Sequence, residues 1–208
     1  MEESNFTGRE YELVSEARAG DVKSFEALVN LYERRIYHIA YRIVESVQDA
    51  EDVLQETFLK AFKNLQGFRG ESSFYTWIVQ IAVNAALQRV NRRSKHPTVS
   101  LDDAGKDEIG FRPQEIAIWE EDPEKLYSKR ETHSILEKAI RALPLIYRTV
   151  FLLKDVEKLP AEAVARNLGI SVAATKSRLI RARLELRESL GKHFRKKGAP
   201  VYSGEHHH

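Results

Sequence analysis

The sequence predicts an all-α protein built as two small helical bundles joined by a flexible linker. Three observations carry that prediction. Neither glycine nor proline occurs between Gly20 and Gly67 or between Gly70 and Pro97, and intervals of that length do not fit strands with ordinary turns. Apolar residues recur at steps of three and four on either side of a central stretch where the rhythm fades. The charge divides in the same place: residues 1–92 carry 11 basic and 14 acidic side chains, residues 93–132 carry 7 and 10, and residues 133–208 carry 15 and 7. A net charge of +2 therefore conceals one cationic segment at the carboxyl end, the pattern of a polyanion-binding module joined to a unit with a different partner.

The first helix is read over residues 24–45, where Phe25, Leu28, Tyr32, Ile36, Ile39 and Ile43 form one buried face. A polar break at 46–48 separates it from a second helix with Leu54, Phe58, Ala61, Phe62 and Leu65 on its apolar side, which Gly67 stops. The acids at its start, Asp49, Glu51 and Asp52, suit the positive end of a helix dipole. The glycine-flanked Phe68 and Arg69 lead through Ser72 and Ser73 into a third helix carrying Trp77, Ile78, Ile81, Ala82 and Ala85. It ends on the cations Arg89, Arg92, Arg93 and Lys95. Between 94 and 132, Pro97, Gly105, Gly110, Pro113 and Pro123 punctuate an acidic stretch read as linker, with short helical pieces around 115–120. Helix returns at 133–192 with Ile135, Leu136, Ala139, Ile140 and Leu143, a break at Pro144, then Ile146, Val150 and Leu153. Residues 193–208 form a basic tail ending in three histidines that resemble a tag remnant.

Within the second bundle, Pro160 reads as a first-turn proline, Glu162 to Leu168 as a short helix, Gly169 as the turn and Ser171 as the cap of a new helix from Val172. Short helix, glycine turn and capped helix make a helix-turn-helix. At 100° per residue, Leu179, Ala182, Leu186 and Leu190 fall on one side, and Ala174, Ser177, Arg178 and Arg181 fall opposite. Lys176, Arg183 and Arg187 lie on a flank from which they reach phosphates, while arginines on the outer face reach base edges. A solvated basic helix is the plainer reading of the same pattern.

The aromatics Phe68, Phe74, Tyr75 and Trp77, interleaved with Arg69, Ser72, Ser73 and Thr76 and followed by Asn84, Gln88 and Arg92, suit stacking and hydrogen bonding to unpaired bases. Phe74, Trp77 and Ile78 also read as core. The acids Asp49, Glu51, Asp52 and Glu56 fit a solvated face, a docking face for a basic helical partner together with Gln55 and Phe58, or metal ligands. The metal reading lacks the Glu-x-x-His partners that a helical-bundle metal site uses.

Other classes are excluded by composition. With no cysteine, there are no disulfides, thiolate zinc sites, iron–sulfur clusters or cysteine nucleophiles, and a reducing, cytoplasmic compartment fits best. No uncharged apolar run approaches the roughly 18 residues of a membrane span, so membrane insertion is not expected. The acidic amino terminus does not resemble a secretory signal. A dimeric helix-turn-helix repressor would carry a dimer seam, which the sequence does not display. A metal-dependent nuclease or phosphotransferase would have to rest on the Asp49 to Glu56 carboxylates.

Three blocks together resemble the extracytoplasmic-function sigma factors of bacterial RNA polymerase. They are Asp49-Ala-Glu-Asp-Val-Leu-Gln-Glu-Thr-Phe58 with Lys60-Ala-Phe; Phe68-Arg-Gly-Glu-Ser-Ser-Phe-Tyr-Thr-Trp77 continuing to Ile81-Ala-Val-Asn84; and Leu143-Pro with Lys176-Ser-Arg-Leu-Ile-Arg-Ala-Arg183. The resemblance implies a promoter-binding initiation factor without catalytic residues or cofactor, whose partners are core RNA polymerase, promoter DNA and a silencing anti-sigma factor. It places Asp49, Asp52, Gln55, Glu56 and Phe58 against the polymerase. It assigns Phe68, Arg69, Ser72, Ser73, Tyr75, Trp77, Asn84, Gln88, Arg89, Arg92 and Arg93 to reading and melting the minus-ten element. The helix from Val172 would read the minus-thirty-five element through Ala174, Thr175, Lys176, Ser177, Arg178, Ile180, Arg181 and Arg183. Residues 1–93 then correspond to region 2 and residues 133–192 to region 4. Gln88 where an aspartate is frequent, Ala173-Ala174-Thr175 in place of Gly-Thr-Val and Ala163-Val164-Ala165 in place of Glu-Ile-Ala bear on promoter sequence, not on class.

Overall fold

The computed structural model describes residues 2–95 and 123–196, with side chains described for residues 8–93 and 132–193. Among these residues there are eight α-helices and no strand. The first bundle comprises α1 (Glu2–Arg18), α2 (Val22–Val44), α3 (Val47–Asn64) and α4 (Phe74–Lys95). The second comprises α5 (Pro123–Ala142), α6 (Leu145–Phe151), α7 (Ala161–Leu168) and α8 (Val172–Lys196).

The periodicity of α2 translates directly into burial: Phe25, Leu28, Tyr32, Ile36, Ile39 and Ile43 are all buried. They face Val53 and Ala61 of α3 and Phe74, Ile78, Val79 and Val83 of α4. Alanines 82, 85 and 86 on α4 are also buried, and their small side chains let α2 and α3 pack close. Asp21 caps α2 by accepting from the Lys23 amide at 3.1 Å. Glu45 closes it in the left-handed region at φ 57°, with its amide donating to the Tyr41 carbonyl at 2.8 Å. Ser46 then caps α3 at once, accepting from the Asp49 amide at 3.3 Å. Helix α1, which the periodicity did not reveal, covers this bundle through Val14 and Ala17.

In the second bundle, Ile140, Leu143, Val150, Leu152, Leu153, Val164, Ala182 and Leu186 are buried. Helix α5 begins at Pro123, inside the stretch read as linker. Helix α6 runs into a wide π turn over Leu152–Val156, closed by the Glu157 amide donating to the Leu152 carbonyl at 2.9 Å. The α7 N-cap is Pro160, so the proline stands just before the helix and not inside its first turn. Gly169 ends α7 at φ 63°, and the Ile170 amide reaches back to the Ala165 carbonyl at 3.0 Å. This left-handed closure is the turn of the helix-turn-helix. The helical pieces expected around 115–120 and the terminal histidines lie outside the described residues. The two bundles meet where α6 packs on α2 and α7 on α4.

Candidate nucleic-acid interface

Three exposed surfaces follow from these packing faces. On α3, burial of Ala50, Val53, Thr57, Phe58 and Ala61 turns the opposite side outward. Asp52, Gln55, Leu59 and Phe62 recur there at helical spacing, with Leu59 56% and Phe62 49% exposed. The outward stripe is therefore acidic at its start and apolar further on. Phe62, read from sequence as part of the inner face, belongs to this outer one; its ring meets that of Phe25 edge-on at 5.0 Å. Phe58, expected at the polymerase surface, is buried.

The acids of α3 are drawn toward the basic end of α4. Arg89 Nη1 donates to Asp52 Oδ2 at 2.9 Å and to Asp49 Oδ1 at 3.3 Å, and its Nη2 lies 3.9 Å from Glu56. Arg93 reaches Asp49 at 3.0 Å, and Lys60 pairs with Glu56 at 2.6 Å along the helix. Residues assigned to polymerase and residues assigned to DNA thus neutralise one another across the α3–α4 seam.

The aromatic turn forms the second surface. After the 3₁₀ turn Leu65–Gly67, Gly70 adopts φ 73°, a conformation glycine takes at least cost. Phe68 is buried, its ring centroid 6.0 Å from that of Phe74 and 5.0 Å from that of Trp77. The Ser73 hydroxyl accepts from the Thr76 amide at 3.1 Å and so caps α4. Arg69 and Ser73 are exposed, and Ser72 and Trp77 are half-buried. Tyr75 is buried; its hydroxyl donates to Glu157, and burial, reinforced by the Glu157 charge, pushes it above the ordinary phenol range. Along the outer side of α4, Asn84, Gln88 and Arg92 are exposed at steps of four, with Arg93 beside them.

The third surface is α8. Ser171 caps it, accepting from the Ala174 amide at 3.0 Å. Leu179, Ala182 and Leu186 are buried as the wheel requires, and Thr175 joins them, its hydroxyl donating to the Ser171 carbonyl at 3.1 Å. The outward centre is consequently Ser177, Ile180 and Leu184, with Lys176 and Arg181 on its flanks and Ala174 and Arg178 half-buried at the margin. Arg181 donates to the Tyr147 hydroxyl at 3.2 Å, and Arg183 holds Asp155 with two bonds of 2.7 Å each.

Comparison with known proteins fits this arrangement. The Sigma-70 region 2 family profile matches residues 28–96, and the Sigma-70 region 4 profile matches residues 133–186. The RNA polymerase sigma-H factor of Pseudomonas aeruginosa is 33% identical over 88% of this chain and 94% of its own length. The ECF RNA polymerase sigma-E factor of Haemophilus influenzae is 34% identical over 82% and 89%, and the ECF RNA polymerase sigma factor SigW of Bacillus subtilis 30% over 85% and 94%. The chain belongs to the extracytoplasmic-function sigma factors.

Solved structures share the fold of this sigma factor. The sigma factor RpoE of Bartonella quintana, in complex with the anti-sigma factor NepR, aligns with TM-score 0.62 at 23% identity, covering 82% of this chain and 98% of that one. CnrH in complex with the cytosolic domain of CnrY aligns with TM-score 0.61 at 22% identity, covering 88% and 98%. Sigma factors are transcription initiation factors that direct polymerase to promoters, and the region 4 match takes in α7, the glycine turn and α8 as far as residue 186. Among the described residues, no helix is long and apolar enough to cross a membrane, and no group of three or more histidine, aspartate or glutamate side chains is placed to hold a metal ion.

Proposed function

We propose that residues 1–93 form the polymerase-docking and minus-ten-opening domain of this sigma factor and residues 133–192 its minus-thirty-five-reading domain, with 94–132 as connector and 193–208 as tail. The observation that carries this reading is the separation of three exposed surfaces: the acidic and apolar stripe of α3, the polar outer side of α4 behind the aromatic turn, and the outward face of α8. Asp52, Gln55 and Glu56, with Leu59 and Phe62 further along, suit a partner surface that is both cationic and apolar. Phe58, being buried, positions α3 and does not touch the partner.

At the minus-ten element, Arg69, Ser72 and Ser73 surround the place where an extruded base would sit. Extruding that base costs a few kcal/mol of unstacking. Phe68 and Trp77 set the shape of that turn, and Asn84, Gln88 and Arg92 track the strand beyond it, joined by Arg89 and Arg93 once their ion pairs with α3 are exchanged. At the minus-thirty-five element, α8 enters the major groove. Lys176 and Arg183 engage phosphates, Ser177 and Arg181 base edges, and Ile180 a thymine methyl. Ala174 and Arg178 lie at the edge of that face, and Thr175 acts inside the turn by holding Ser171. The protein performs no chemistry of its own, needs no cofactor and works in the cytoplasm. Relatives in solved structures are held by anti-sigma factors, which supports a similar silencing partner here.

Transcription in vitro with bacterial core polymerase over a promoter library tests the reading. Added protein should confine initiation to a small promoter subset, and Glu56→Ala should lower the yield of complex with core. A chain that never co-elutes with core polymerase, in the absence of any inhibitor, refutes it.

A further inference from the structure

Helix α1 reaches both ends of the aromatic turn. Its Glu10 carboxylate accepts from the Tyr75 amide at 3.3 Å. Tyr75 is the second residue of α4, and the first amides of a helix find no carbonyl within it. The local cap serves only one of them: Ser73 Oγ accepts from the Thr76 amide, and the first bond of the helix itself runs from the Trp77 amide to the Ser73 carbonyl at 3.2 Å. Glu10 supplies the acceptor that Tyr75 requires, and its negative charge stands at the positive end of the α4 dipole. At the other end of α1, the Arg18 carbonyl accepts from Gln66 Nε2, in the 3₁₀ turn that leads into Phe68.

The surroundings of Glu10 hold it in place. It is half-buried, and the Tyr32 hydroxyl of α2 donates to it; burial, and then the Glu10 charge and that bond, push the hydroxyl above the ordinary phenol range. The Tyr32 ring lies 5.2 Å from that of Tyr75, so acid, phenol and amide form one group where α1, α2 and α4 converge. The carboxyl end of α1 is pinned separately: Val14 and Ala17 are buried, and the buried Ser24 of α2 donates to Glu16 at 2.5 Å.

We propose that Glu10 is a positioning residue for minus-ten capture: through its bond to the Tyr75 amide, α1 sets where the aromatic turn enters α4 and so holds Phe68, Ser72, Ser73 and Trp77 in the shape that receives an unpaired base. The capture role rests on the reading of that turn as the minus-ten segment; the bracing does not. Glu10 acts through α4 and touches no base itself. The sign of its effect separates a brace from a bystander. A carboxylate merely near the turn repels phosphates, so removing it would tighten DNA binding. A carboxylate that braces the turn weakens binding when removed, because the competent geometry is then populated for a smaller fraction of the time. Glutamine divides the two, keeping an acceptor oxygen while losing the charge.

The chain has two tryptophans, Trp77 and Trp119, so a Trp119→Phe background leaves Trp77 as the sole indole, its ring centroid 5.0 Å from that of Phe68 and 5.7 Å from that of Phe74. In that background the natural Glu10 chain, Glu10→Ala, Glu10→Gln and Gln66→Ala are compared, with helicity checked by circular dichroism. Acrylamide should quench Trp77 about twofold more efficiently in Glu10→Ala, as local opening of the turn requires, and Glu10→Gln should match the natural chain. Each chain is then assembled with core polymerase and titrated against a labelled single strand carrying the minus-ten sequence of a promoter that the natural chain selects, read by fluorescence anisotropy. Glu10→Ala should bind the strand about fivefold more weakly, the size of effect expected from losing one helix cap. Gln66→Ala should lose a smaller factor, and Glu10→Gln should bind at least as tightly as the natural chain. Unchanged quenching in Glu10→Ala, unchanged or tighter strand binding by it, a loss of core assembly equal to its loss of strand binding, or a Glu10→Gln chain as impaired as Glu10→Ala each overturns the proposal. If the quenching order holds while the natural holoenzyme does not distinguish that strand from a scrambled one, the minus-ten reading of the turn fails and with it the capture role, while the brace stands.

Discussion

Phe74→Ala is the most informative single substitution in the first domain. Phe74 is 2% exposed at the start of α4, and its ring lies 6.1 Å from that of Tyr32, 6.0 Å from that of Phe68 and 5.7 Å from that of Trp77. Truncating a buried phenylalanine to alanine costs about 3–5 kcal/mol through lost transfer energy and the cavity left behind. Three aromatic partners lose their contact at once, which places this site toward the upper half, at about 4 kcal/mol. For a chain of this size that corresponds to a fall in Tm of about 8–16 °C. Chemical and thermal denaturation followed by circular dichroism read it directly, with Phe74→Leu as a control expected to lose less than half as much. A loss below about 1 kcal/mol would refute the argument that the aromatic turn is held by this ring cluster. At temperatures where the variant is still folded, promoter opening should fall more than duplex binding, because Phe68 and Trp77 lose the ring that fixes the turn.

Gly169→Ala should cost about 1 kcal/mol, since the space around it is open and the penalty is that of a left-handed backbone at φ 63°; Gly169→Asn should cost less, and denaturation midpoints compare the two. Asp155 is held below the usual carboxylate range, chiefly by hydrogen bonding from Arg183. Its depressed value in the folded state means the stabilisation is complete at neutral pH and fades as pH falls below about 4 toward the folded value. Arg183→Ala should flatten that acid-side loss in a stability profile measured against pH. Arg181→Ala should reduce minus-thirty-five discrimination by about 1–3 kcal/mol in competition binding, and an unchanged sequence preference would reject its role in base reading.

Much of the fold was legible because each helix buries a regular stripe. The six apolar residues named for α2 are all buried, and the wheel of α8 placed Leu179, Ala182 and Leu186 inward correctly. Capping chemistry likewise located Gly169 and Ser171 at helix ends, whereas Ser46 was read only as part of a polar break. What periodicity cannot supply is the identity of the element that arrives from elsewhere. Leu59 and Phe62 look like core by type, yet the inner face of α3 is already filled by Val53, Thr57 and Ala61. Thr175 looks polar and therefore outward, but its hydroxyl is satisfied by the carbonyl four residues back and its methyl group can be buried. The ion pairs from Arg89 to α3 and the reach of Glu157 to Tyr75 join residues distant in sequence, where no local pattern exists to announce them. Helix α1 escaped notice because its few apolar positions are scattered among charges.

The π turn at Leu152–Val156 has a consequence for how this sigma factor tolerates change. Asp155 in the turn holds Arg183 on the recognition helix, and Glu157, two residues later, holds the first domain. Because each residue of a regular helix advances the azimuth by 100°, deleting one residue here would tighten the winding and swing Glu157 around the axis, away from Tyr75. Exchanging a side chain in this stretch therefore disturbs one contact, whereas changing the number of residues displaces both at once.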